Sequence, residues 1–161
     1  MIVLIMGTTG AGKTTVGKLL AEKLNWIFLD ADDFHPPANI AKMKKGIPLD
    51  DADRKPWLAA IHDRLETETA AGKSCVLACS ALKESYRETI GAGLDLRTVY
   101  LKGTYAEMRV HILARHGHFA GEGILAGQFR DLEEPADAIV EPVTLHPEEI
   151  VKRVRERLKL A

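Results

Sequence analysis

Gly7-Thr8-Thr9-Gly10-Ala11-Gly12-Lys13-Thr14 follows the apolar run Ile2-Val3-Leu4-Ile5-Met6 and leads into a helical pattern carried by Val16, Leu19, Leu20 and Leu24. Strand, glycine-rich turn, lysine, hydroxyl and helix in that order make a phosphate-binding P-loop in its expected setting. Gly7, Gly10 and Gly12 let the backbone bend and bring its N–H groups close to phosphate oxygens. The helix that starts near Lys13 points its positive dipole end at the same anion. Lys13 can reach β- and γ-phosphates, and the Thr14 hydroxyl can ligate Mg²⁺. The candidate phosphate-binding set is therefore Gly7, Thr8, Thr9, Gly10, Ala11, Gly12, Lys13, Thr14 and Thr15.

Around this motif the chain is ordinary and globular. Its 161 residues suffice for one domain with a real core, and 46% hydrophobic with 28% charged residues is an average balance. A net charge of −1 gives no global pull toward nucleic acid or an anionic membrane, so neither is expected as a partner. No apolar run approaches the roughly 20 residues of a membrane span. The first apolar run enters the P-loop directly, so it is expected to be structure rather than a signal peptide. Cys75 and Cys79 fall in one apolar run. On a strand they would sit about 13 Å apart, too far for a disulfide. Both read as reduced core residues of a cytoplasmic protein.

Apolar segments alternate with helical ones. The expected strands are Ile2–Met6, Trp26–Leu29, Cys75–Cys79, Thr98–Leu101 and Ala138–Glu141. The expected helices are Lys13–Leu24, one from Pro36-Pro37 to Gly46, Asp53–Ala71 capped by Asp53, Lys83–Ile90, one from Thr104 to about Arg115, and one from Pro147. Thr104 with Glu107 reads as a capping box. Pro56, three residues after Asp53, is expected in a first turn where its missing N–H costs nothing. Strand alternating with helix predicts a five-stranded parallel sheet covered on both faces, a three-layer α/β/α architecture. His116–Gly127 holds four glycines with little apolar periodicity and reads as a mobile lid, about residues 116–127.

In such sheets ligands bind outside the carboxyl ends of the strands. After the second strand stands Asp30-Ala31-Asp32-Asp33-Phe34-His35. Three carboxylates so close repel one another unless a cation or donor lies near, and beside a P-loop that cation can be Mg²⁺. One carboxylate can support the metal through water while another accepts a proton from an attacking hydroxyl. The third strand ends Ala78-Cys79-Ser80 without the aspartate a motor ATPase or switch GTPase places there. That weakens those readings and favours a small-molecule phosphotransferase. Arg54 opposes the dipole of its helix, which points to compensating acids or to an anionic ligand. His116 and His118 read as lid residues rather than metal ligands.

With these segments in hand, the chain resembles the gluconokinase family. The resemblance rests on residues 29–36 (LDADDFHP), 42–49 (KMKKGIPL), 53–58 (DRKPWL), 79–87 (CSALKESYR), 115–119 (RHGHF) and 128–135 (QFRDLEEP), which occur in the family's order and cover most of the chain. It implies the nucleoside-monophosphate-kinase-like P-loop fold, a closing lid, a cytoplasmic homodimer, and ATP-dependent phosphorylation of D-gluconate at its terminal hydroxyl. By similarity to the related shikimate kinases, Asp30 would support Mg²⁺ through water and Asp32 would orient or deprotonate the sugar hydroxyl. Arg54 is the first choice for the substrate carboxylate, with His35 and Lys83 next. Arg115 resembles a lid arginine that covers the phosphates and is counted with Lys13 and Asp32 as catalytic. His111 stands where the family usually has a second arginine, and Arg109 on the same helix is a possible substitute. Gly121 and Gly123 replace stiffer residues, so a looser lid is expected. Two other readings stay open at this point: a kinase of the same fold for shikimate or another small molecule, and a non-catalytic ATP-binding regulator.

Overall fold

The computed structural model describes residues 1–116 and 122–161. Its centre is a five-stranded, wholly parallel sheet in the order β2-β3-β1-β4-β5. The strands are β1 (Ile2–Met6), β2 (Ile27–Asp30), β3 (Cys75–Ala78), β4 (Leu96–Lys102) and β5 (Ile139–Pro142). All five residues of β1 are buried, and they alternate between the two faces of the sheet. Ile2, Leu4 and Met6 enter one core, and Val3 and Ile5 enter the other. A central strand covered on both sides has no polar face to show, which is why this run is apolar throughout. Cys75 and Cys79 are buried on the first of these faces as free thiols.

Helices α1 (Lys13–Leu24), α5 (Tyr105–His116), α6 (Glu122–Asp131) and α7 (Pro147–Leu158) cover the face of Val3 and Ile5. Helices α3 (Asp51–Ala70) and α4 (Glu84–Gly91) cover the other through Trp57, Leu58, Ile61, Leu65, Tyr86 and Ile90. The short α2 (Pro37–Lys44) lies between a single 3-10 turn, Ala31–Phe34, and α3. The three-layer expectation and the five strands hold, each strand within two residues of its expected start. The capping box of Thr104 and Glu107 is present, with bonds of 2.8 and 3.1 Å.

Two local expectations change. The cap of α3 is Asp50, not Asp53; Asp53 is the third helical residue and completes a reciprocal box with Asp50. Lys42 of α2 holds the Asp53 carboxylate at 2.8 Å, which fixes the earlier start. Pro56 then lies inside the helix rather than in its first turn, so it forfeits a backbone hydrogen bond. The second change concerns the expected lid. Its residues 117–121 lie outside the described residues, and Glu122–Asp131 form α6 rather than a loop. Leu125 is fully buried and Phe129 packs edge-on against Tyr105 at 5.6 Å. This one-turn apolar pair outweighs the low helix propensity of Gly123 and Gly127.

Candidate active site

Helix α1 has Gly12 as its N-cap, at φ 87 and ψ 24, with no side-chain cap. A left-handed residue suits glycine, and a missing side-chain cap leaves the first-turn N–H groups for an outside anion. Gly10 also has φ 87, and a Cβ there would lie 3.0 Å from the Met108 carbonyl and 3.1 Å from Ile112 Cγ1. The loop is thus pressed against α5. From the same helix His111 Nδ1 lies 2.8 Å from the Gly10 carbonyl. A carbonyl only accepts, so Nδ1 carries the proton. His111 therefore braces the loop backbone.

Lys13 Nζ donates to the Thr8 carbonyl at 3.1 Å. Burial lowers its pKa below that of an ordinary lysine; Asp32 and Asp30 oppose that shift and Arg115 adds to it. Asp30 closes β2. Its Oδ1 accepts the Asp32 N–H at 3.0 Å, and its Oδ2 faces the Thr14 hydroxyl at 3.4 Å. One carboxylate thus ties the acidic turn to the start of α1. Asp32 has its carboxyl raised above the usual range, first by partial burial in the cleft and then by the Asp30 charge, with His35 and Lys13 opposing. Its side chain nevertheless stays open to solvent at the cleft mouth.

Lys13, Thr14, Asp30, Asp32 and Arg115 line one cleft, at the carboxyl ends of β1 and β2. Thr9, Gly10 and Gly12 contribute its floor, and Cys79 and Ser80 one wall. Burial pushes the Cys79 thiol up to about 12, so it is a neutral wall and not a nucleophile. Four candidate P-loop residues do not line the cleft: Gly7, Thr8, Ala11 and Thr15. Thr8 and Ala11 are buried behind it, and Thr15 is exposed. Gln128, which the residue-level reading missed, enters from α6, and its Oε1 accepts the Thr9 N–H at 2.6 Å. Nothing in its own chemistry singled it out; only its place in the 128–135 stretch did.

His35, Arg54 and Lys83 do not line this cleft but stand in an adjoining group. His35 stacks on Trp57 with ring centroids 4.4 Å apart, and Trp57 Nε1 donates to the Ala31 carbonyl at 2.7 Å. Asn39 Nδ2 donates to His35 Nδ1 at 3.2 Å, which leaves the His35 proton on Nε2. Burial lowers the His35 pKa, with Asp32 opposing and Arg54 assisting. Arg54 donates to the Tyr86 hydroxyl at 3.1 Å and lies over its ring. The Tyr86 hydroxyl donates in turn to Asp51, which Lys83 contacts at 3.2 Å. Asp51 and Tyr86 were also missed, because no short spacing joins positions on α3 and α4.

Residues 9–115 match the family model described as shikimate kinase. The gluconokinase of Gluconobacter oxydans (strain 621H) is 46% identical over 134 residues, covering 83% of this chain and 75% of that protein. The thermoresistant gluconokinase of Escherichia coli (strain K12) is 42% identical over 135 residues, covering 83% and 77%. A crystal structure of a gluconokinase from Sinorhizobium meliloti 1021 superposes with a TM-score of 0.85 at 38% identity, covering 98% of this chain and 94% of that one.

Proposed function

The chain belongs to the gluconokinase family, within the wider group that the shikimate kinase model describes, and on that premise we propose that it transfers the γ-phosphoryl group of ATP to the 6-hydroxyl of D-gluconate. The observation that carries the reading is the convergence of Lys13, Asp32 and Arg115 on one cleft. A cradle for phosphates and a carboxylate able to take a hydroxyl proton face the same space.

Phosphoryl transfer asks the protein mainly to position and to stabilise charge. The uncapped amides at the start of α1 and the Lys13 ammonium hold the β- and γ-phosphates. Asp32 aligns the 6-hydroxyl and accepts its proton as the new O–P bond forms; the bond from phosphorus to the β–γ bridging oxygen breaks and ADP leaves. Arg115 neutralises charge on the transferring group. His35, Arg54 and Lys83 receive the sugar acid, with the cations facing its carboxylate.

Thr14 and Asp30 offer a hydroxyl and a carboxylate close together, which are hard oxygen donors suited to Mg²⁺. Among the described residues no group of three His, Cys, Asp or Glu side chains forms a cage. When bound, the ion would neutralise phosphate charge, with Thr14 and Asp30 the residues that would hold it, Asp30 through water.

The same proposal includes a cytoplasmic homodimer with neither nucleic acid nor membrane as partner. The two buried free thiols suit a reducing compartment, and among the described residues no helix is long and apolar enough to cross a membrane. An ADP-release assay over D-gluconate, other sugar acids, shikimate and nucleoside monophosphates tests the substrate. Gluconate is expected to give the highest kcat/KM; a preference for shikimate or a nucleotide acceptor would overturn the proposal.

A further inference from the structure

Of the two cations proposed to face the sugar acid, Lys83 already bonds an anion, Asp51, and Arg54 is linked to the same anion through the Tyr86 hydroxyl. Lys83 Nζ lies 3.2 and 3.5 Å from the two oxygens of Asp51. The Tyr86 hydroxyl donates to the same carboxylate while accepting from Arg54 at 3.1 Å. Lys83 also lies 5.6 Å from the centre of the Tyr86 ring, and Arg54 5.5 Å. One phenol thus gathers two cations and one carboxylate into a compact set. The Asp51 side chain is 70% exposed, so nothing buries it in place. It projects from the first turn of α3, where Asp50, not Asp51, makes the capping bond. Asp51 is therefore not the capping residue, and among the described residues its side chain bonds to Lys83 and Tyr86.

We propose that Asp51 is a resident counter-anion of the acceptor pocket: it occupies the donors of Lys83 and Tyr86 until a substrate carboxylate displaces it, and so makes binding selective for a singly charged acid of the right length. This deepens the functional reading above and rests on it. Within this set, two cations and one displaceable carboxylate leave a single net positive charge. One incoming carboxylate balances it. A neutral polyol offers nothing to exchange for Asp51, and an acceptor with a second carboxylate meets Asp51 as a like charge. The ordering also places the incoming carboxylate. Asp32 lines the phosphoryl-transfer cleft, whereas His35, Arg54 and Lys83 stand outside its lining. In the proposed pose the far hydroxyl of the acid lies at Asp32 and its carboxylate at Arg54 and Lys83. The two hydrogen bonds to Asp51 hold its carboxyl below the usual range, so it is ionised throughout the neutral pH range and stays a competitor there.

The test uses the intact wild-type protein with the carboxyl carbon of aspartate labelled for NMR, and with D-gluconate or D-glucitol as ligand. The Asp51 resonance, assigned by its loss in Asp51→Asn, is expected to move on saturation with gluconate and to stay still with glucitol. In calorimetry Asp51→Asn is expected to bind gluconate several-fold more tightly than wild type and to lose discrimination against a dicarboxylic six-carbon acid. In the background of Arg54→Ala with Lys83→Met, the same substitution is expected to have no effect on gluconate binding. A stationary Asp51 resonance in a protein that does bind gluconate would overturn this inference and leave the functional reading intact. Failure of the wild type to bind gluconate at all would overturn both.

Discussion

The proposed phosphate cradle and the proposed sugar-acid wall are built by opposite means. The cradle comes from one short run: Thr9, Gly10, Gly12, Lys13 and Thr14 line it, and α5 braces it through His111 and the close packing at Gly10. The wall is assembled from side chains of three separate stretches, residues 30–35, 51–57 and 83–86, tied by the Trp57 and Tyr86 bonds. A backbone site recognises what every phosphate donor shares. A side-chain site can be retuned one residue at a time, so under the proposed function it is where the acceptor would be chosen. Damage to the cradle should therefore lower turnover for any acceptor, whereas damage to the wall should alter the choice among acceptors.

The largest expected effect lies at the junction. Asp32→Asn should lower kcat by about 10²–10⁴-fold, the range for loss of a positioned general base. In the wild type the free carboxyl is raised, so kcat/KM should climb with pH through an acid limb above the ordinary aspartate value, and that limb should vanish in Asp32→Asn. The Lys13 ammonium, lowered by burial, should give a fall at alkaline pH that begins below the ordinary lysine value. Full pH–rate profiles of both proteins check these signs.

Lys13→Ala should cost about 10²–10³-fold in kcat with every accepted substrate, by loss of charge stabilisation at the phosphates. If it changed the ranking of acceptors instead, the division of labour between cradle and wall would be wrong. Arg54→Ala should raise the KM for gluconate about tenfold to a hundredfold, in keeping with a lost charge-assisted contact, while kcat changes little. An unchanged KM in steady-state kinetics would remove Arg54 from the wall. The smallest effect is expected from Trp57→Phe. It keeps the stacking surface for His35 but removes the donor to the Ala31 carbonyl, costing about 1–2 kcal/mol in denaturant unfolding. A larger change in KM than in stability would show that the indole orients the acidic turn.

The same contrast explains what was legible in the chain. The P-loop could be read because its chemistry depends on spacing within one short run, and glycines there are required by the backbone. The five strands could be read because a doubly covered sheet needs continuous apolar segments such as Ile2–Met6. Asp30 and Asp32 could be read because they follow a strand end beside that loop. The Asp51–Tyr86 link could not, since its partners lie 35 residues apart and meet only when α3 and α4 pack on the same face. The start of α3 was misplaced because Asp50 and Asp53 are equally good caps in isolation, and the pairing of Asp53 with Lys42 decides between them. Helix α6 was hidden by its glycines, whose local preference yields to the burial of Leu125.

The orientation of the acceptor between cradle and wall is tested most directly by the position of the phosphate in the product. After incubation with ATP, Mg²⁺ and D-gluconate, the product phosphorus signal should couple to the two protons of the terminal methylene, as in the 6-phosphate ester. Coupling to a single methine proton, or inorganic phosphate alone, would contradict an arrangement in which Asp32 receives the far end of the acid and Arg54 its carboxylate.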